Sequence, residues 1–282
     1  MWKLGLHYRW TYLELQRRFI EEDAFGRPVS LARDRAGRKR DVAPLMAQFS
    51  GKLTELGVND ETIPGMEAAY EDLLDGLNAH FYEYPYLMGG RPTLADFGLI
   101  APFFAHLSRD PYPSNHMKNH APNVYRWTER MFEQGIADPE FPDMAPDLPG
   151  DDSIPETTVS VLQNLFAEFS PEFRAMIESY NTWCEASPDA AAGTVIQDPD
   201  EAGTTHPSLG WIEFCARGVK HRRRDSVDIV YHLQRVFDVV DALATRARGR
   251  FDELVDRAGG TQLMSMRPYR RIAYRDFKYI MS

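Results

Sequence analysis

The sequence predicts a mainly α-helical fold, and three observations carry that expectation. Residues 64–82 place Met66, Tyr70, Leu73, Leu74 and Leu77 along one stripe at helical spacing. Thr93 and Asp96 stand three apart, immediately before the apolar run FGLIAPFFAHL, which is a helix-start signature. The stretch 138–152 is so rich in proline and acids that no regular element can form there, so it reads as a linker between two helical parts. The expected domains are therefore 1–137, a linker over 138–152, and a helical extension over 153–282.

From the N-terminus, residues 6–24 read as one helix, with Leu6, Trp10, Leu13 and Ile20 near helical spacing. Residues 26–41 are dense in charge and glycine and read as a loop. A second helix is expected over 42–56, ending at Gly57. The Thr93 hydroxyl can accept the Asp96 backbone N–H, while the Asp96 carboxylate reaches back to the Thr93 N–H. The helix that follows is apolar on most sides, which predicts burial. One more helix is expected over 122–134.

Beyond the linker, Ser153 and Glu156 repeat the capping pattern, and Val159, Leu162, Phe166 and Phe169 follow at helical spacing. Ser170-Pro171 predicts a restart, because proline suits the first helical turn. Residues 187–206 read as a loop, 209–219 as a strand and 226–257 as one long helix. The tail RRIAYRDFKYIMS has strand-like content, and its pairing with 209–219 would make a small antiparallel β element.

Bulk properties narrow the function. At 282 residues the chain can bury a substantial core. A formal net charge of -10 argues against a general phosphate-backbone binder, so no nucleic acid partner is expected. No apolar run reaches the ~20 residues that span a bilayer, and the N-terminus lacks the features of a secretory signal. Two distant cysteines, Cys184 and Cys215, give neither a disulfide framework nor a metal quartet, and suggest reduced thiols in a cytoplasmic protein. Cys184 sits on an apolar stripe and reads as core; Cys215 would be reactive only if exposed beside the basic run 220–224. The histidines, His116, His120 and His206 among them, show no ligand spacing, so no metal is expected. No nucleophile-elbow, P-loop or dinucleotide glycine pattern is present, and no catalytic residue is assigned.

The phrases GGRPTLADFGL, AHLSRDP and APNVYRWTERM, in that order, resemble the helical C-terminal domain of glutathione S-transferases. HYRWTYLELQ at 7–16 resembles the start of that domain in a bacterial branch, and 151–282 looks like an extension seen in some members. The resemblance implies a glutathione S-transferase C-terminal-like helical bundle, a pocket for a hydrophobic small-molecule ligand and a homodimer. It also implies glutathione as the cofactor of complete relatives, held by a thioredoxin-like N-terminal domain. Residues 1–60 show no βαβ pattern, so this chain reads as the substrate-side half of a glutathione-dependent transferase, unable to bind glutathione alone.

The resemblance places His7, Tyr8, Arg9 and Trp10 where that domain faces the glutathione domain and the second substrate. Tyr8 and Arg9 would hydrogen-bond a polar substrate and Trp10 would wall it. The competing reading makes Trp10 core and the rest a solvated or dimer-facing turn. His106, Arg109 and Asp110 either tune a proton-transfer group or cap a helix C-terminus. Lys220 to Arg224 and the run Arg267, Arg270, Arg271 and Arg275 either converge on an anion or are solvated charge. Two further functions compete with the transferase half: a non-catalytic protein-binding or scaffolding module, and a small-molecule enzyme using the helical pocket without glutathione.

Overall fold

A computed structural model describes residues 2–133, 140–198 and 208–282. Residues 134–139, which include the first two of the expected linker, and residues 199–207, with His206 among them, lie outside the described residues. The chain forms two compact units, Met1–Val161 and Leu162–Ser282.

Among its described residues the first unit is mainly helical. It runs through α1 (Trp2–Thr11), α2 (Leu13–Phe19), α3 (Gly26–Val29), α4 (Arg35–Glu55), α5 (Ile63–Glu83), α6 (Leu94–Pro102), α7 (Pro111–His120) and α8 (Pro122–Arg130). The expected single helix over 6–24 breaks at Tyr12 and resumes, then widens into a π turn over Ile20–Ala24. Breaking α1 frees the carbonyls of Tyr8 and Arg9. The buried Gln16 amide donates to both, at 2.9 and 3.2 Å, while its oxygen accepts the Tyr112 N–H at 3.0 Å. A buried side chain thus satisfies the backbone groups that a continuous helix would have paired.

The expected loop over 26–41 is instead largely helical. Asp34 caps α4 by accepting the Gly37 N–H at 2.8 Å, and the helix begins at Arg35. Its C-terminal end falls as expected, with Gly57 at φ +75, a conformation that suits glycine. α5 buries Met66, Tyr70, Leu73, Leu74 and Leu77, the stripe read from the sequence.

The capping box at Thr93 and Asp96 is present. The Asp96 side chain, wholly buried, accepts the Thr93 N–H at 2.9 Å and the Thr93 hydroxyl at 3.0 Å with one oxygen. With the other it accepts the Leu87 N–H at 2.9 Å and the Trp127 indole N–H at 3.2 Å. The helix it starts is not sequestered on most sides. Ile100 is buried and Phe103, in the following π turn, is fully so, but Leu94 is 90% exposed, Phe97 58% and Phe104 41%. The apolar run supplies one buried face and one bare one.

The acid- and proline-rich stretch, where described, is part of the first unit. The Gly90 N–H donates to the Asp147 carbonyl at 3.0 Å, and any Cβ at Gly90 would come within 1.9 Å of the Ala145 carbonyl oxygen. Glycine is required by that approach. The first turn of α9 (Glu156–Ala186) also packs on this unit: Thr158 donates to the Leu87 carbonyl at 2.6 Å, and Val159 and Val161 are buried. The division between units therefore falls inside α9 rather than at the linker.

In the second unit, α9 continues through Pro171 without the expected restart. Burial of Met176, Ile177 and Tyr180 offsets the one backbone hydrogen bond that proline removes. β1 (Trp211–Ala216) pairs antiparallel with β2 (Val219–Arg224), and β3 (Ile272–Arg275) with β4 (Lys278–Met281). The tail therefore does not pair with 209–219: each segment turns back on a neighbour that is closer in sequence. The expected long helix over 226–257 is two, α10 (Val227–Asp241) and α11 (Thr245–Arg257), and a short α12 (Thr261–Met264) follows. The core of this unit gathers Tyr180, Cys184, Ile212, Phe214, Val230, Phe237 and Leu263.

Candidate functional site

The residues singled out from the sequence are brought together on α1, but as buried side chains. His7, Tyr8, Arg9 and Trp10 are all buried. The His7 ring spans two partners: its Nε2 lies 2.8 Å from Glu67 Oε1, and its Nδ1 2.9 Å from the Thr11 hydroxyl. With the proton on Nε2, the imidazole donates to Glu67 and accepts from Thr11, an aligned hydroxyl–imidazole–carboxylate relay. Tyr12 donates to the same Glu67 oxygen at 2.8 Å and stacks on Tyr112 at 4.0 Å.

Tyr8 sits among Tyr12, Tyr70 and Tyr112, with ring centroids 5.6–6.1 Å away. Burial raises the pKa of the Tyr8 phenol, and the nearby Glu67 and Glu71 carboxylates raise it further. Burial and the Glu67 hydrogen bond raise Tyr12, and burial raises Tyr70. All three stay protonated at neutral pH, so the cluster offers O–H donors and ring faces rather than a phenolate nucleophile. The buried Tyr70 hydroxyl and the Trp10 indole N–H have no hydrogen-bond partner among the described residues.

Arg9 points the other way. Its Nε and Nη2 donate to the two oxygens of buried Asp110, each at 2.7 Å. This bidentate pair ties α1 to the start of α7. His106 is buried, with Nδ1 3.9 Å from Asp110 Oδ2. Gly5 makes room for it, since a Cβ there would stand 2.7 Å from the His106 Cβ. Arg109 is exposed and pairs with Asp23 at 3.1 Å, so the Arg109–Asp110 couple read from the sequence is split between two different partners.

Sequence reading missed a second array beside this one. Glu67, Glu71 and Asp75 are spaced by four on α5; Tyr112, His116 and His120 are spaced by four on α7. His116 meets Glu71 at 2.5 Å, and His120 meets Glu71 at 3.1 Å and Asp75 at 3.0 Å. Each stripe was legible in the sequence as an i, i+4 series on its own helix, the acids on α5 and the Tyr and His on α7, but their facing was not. Among the described residues no group of three His, Cys, Asp or Glu side chains is arranged to hold a metal ion.

Members of the two basic runs each have partners of their own. Arg271 forms a bidentate pair with Asp238 at 2.7 and 2.8 Å, and Arg267 pairs with Asp241 at 2.6 Å. Lys220 pairs with Glu213 across the β1–β2 hairpin at 2.7 Å, and Arg222 lies over Trp211. Cys184 is buried and Cys215 exposed, both as free thiols. No helix among the described residues is long and apolar enough to cross a membrane.

Comparison with known families matches residues 45–135 to the glutathione S-transferase C-terminal domain. The match takes in the capping box, the apolar helix and α5 to α8, and leaves out α1 to α3 and the whole second unit. No curated protein and no solved structure matches the chain. Residues 45–135, with their capping box closed on a buried aspartate, are similar to the C-terminal helical domain of the glutathione S-transferase family.

Proposed function

We propose that this chain is the substrate-side helical half of a glutathione S-transferase-like protein, and that it does not hold glutathione by itself. In this reading α6 presents a surface on which a thioredoxin-like, glutathione-binding domain docks. The observation that carries it is the bare apolar face beside the capping box. Leu94, Phe97, Ala101 and Phe104 follow one another at spacings of three and four, and Phe132, 54% exposed, stacks on Phe104 at 3.9 Å. An uninterrupted apolar face of this kind marks an interaction surface. The described part of the first unit consists of helices and their connections, and the first β-strand among the described residues is Trp211–Ala216. The tyrosine-lined cluster on α1, α5 and α7 then serves as a polar wall near the second substrate, with the protonated phenols as donors. Homodimerisation and a cytoplasmic setting belong to the same proposal.

Fluorescence of the dye 1-anilinonaphthalene-8-sulfonate tests the docking face. Wild-type protein should enhance dye emission, and Leu94→Asp with Phe97→Asp should cut the enhancement by about half or more while leaving circular dichroism unchanged. Equal emission from the double variant would remove the surface on which the proposal stands. The same bare face also favours a second reading, a protein-binding module whose partner is not a thioredoxin-like domain. Capture of a partner that lacks such a domain, abolished by the double variant, would favour that reading.

A further inference from the structure

A cleft of about 590 Å³ lies in the first unit, well away in sequence from the α6 face. Its walls come from α2, the π turn after it, α3 and the first turn of α4, with Pro111 at one side. Four arginines and three acids line it, so the lining carries a net positive charge. Most of that charge is spent internally. Arg17 pairs with Glu14, Arg18 with Glu22 at 3.2 Å and Arg27 with Asp23 at 2.9 Å.

Arg38 differs. Its Nε donates to the Ala32 carbonyl at 3.0 Å, and it forms no ion pair among the described residues. It is half-buried, in the first turn of the helix capped by Asp34, with Gly26 beside its aliphatic stem. Its two terminal nitrogens are left as an open planar fork in a cleft whose carboxylates already have partners. Leu15, 70% exposed, Phe19 and Pro111 give the same cleft an apolar wall. A guanidinium fork recognises a planar oxyanion bidentately, and an apolar wall selects an organic body over a bare ion.

We propose that this cleft binds a small organic acid, with its carboxylate on Arg38 and its apolar body against Leu15 and Phe19. The site shares no lining residue with the α6 face and does not depend on the transferase reading. The acids on the lining set its specificity: held by arginines, they leave one place for an incoming negative charge.

Calorimetric titration of the full chain with phenylacetate tests the assignment, with 2-phenylethanol and inorganic phosphate as controls. Phenylacetate should bind with one-to-one stoichiometry. Phenylethanol and phosphate should each bind at least ~10-fold more weakly, because each lacks one of the two recognised features. Arg38→Gln should weaken phenylacetate at least ~10-fold, Arg38→Lys less, and Leu15→Asp should weaken it with circular dichroism unchanged. Failure of phenylacetate to bind at millimolar concentration would overturn the proposal. So would binding unaltered by Arg38→Gln, or phosphate binding as tightly as phenylacetate, which would make this a plain anion site.

Discussion

At the scale of single residues, Asp96 does the most. Its two oxygens accept from Thr93 twice, from Leu87 and from Trp127, so one carboxylate fixes a helix start, a loop and a core indole. Asp96→Ala strands two backbone N–H groups and an indole N–H in buried surroundings. It should destabilise the protein by about 2–4 kcal/mol in urea unfolding, well beyond an exposed cap. A loss under ~0.5 kcal/mol would show that the network is not as drawn. His80 gives a pH signature of its own. It is buried, with Nδ1 2.8 Å from the Thr157 hydroxyl and Nε2 3.0 Å from the Tyr86 carbonyl, and burial lowers its pKa below the ordinary 6.5. Below that value the unfolded chain takes up a proton that the folded chain refuses. Stability due to this group is therefore full above pH 6.5 and falls as pH drops, by up to about 1.4 kcal/mol per unit. His80→Gln should flatten the stability–pH curve between pH 6.5 and 5; an unchanged slope would count against a neutral buried imidazole.

At the scale of elements, legibility followed the kind of signal. The α5 stripe and the Thr93–Asp96 box are local patterns, and both were readable before any coordinates. The break at Tyr12 and the split between α10 and α11 were not. Neither carries a glycine or proline, and Gln16, which caps the carbonyls that the first break leaves open, reaches back seven and eight residues. The burial of His7 and Arg9 was equally hidden, because their partners Glu67 and Asp110 lie 60 and 101 residues away. The apolar run after Asp96 misled for a different reason: hydrophobicity predicts a covered face, and says nothing about what covers it. The β3–β4 hairpin hid its turn in the same way, since Asp276 and Phe277 take φ values of +48 and +60 with no glycine to announce them. A bulky aromatic in that conformation is strained. Phe277, 90% exposed, has little packing to lose, so Phe277→Gly should stabilise the protein by about 0.5–1 kcal/mol in thermal unfolding. Destabilisation would mean that the aromatic ring, rather than the turn geometry, holds the hairpin.

At the scale of the whole molecule, the two units carry separate lessons. The family match ends at residue 135, and the second unit builds its own core around Tyr180 and Phe237 with two small hairpins. The first unit combines polar side chains paired in its interior, Arg9 in an ion pair with Asp110 and His7 in a hydrogen bond to Glu67, with an uncovered apolar helix face. Under the proposed function, such a domain would shape an acceptor site while another fold supplies the thiol. The most direct test is calorimetric titration of the purified 282-residue chain with reduced glutathione. The account predicts no saturable binding up to millimolar concentration. Tight, stoichiometric binding would contradict it, because a helical half would then be holding the peptide on its own.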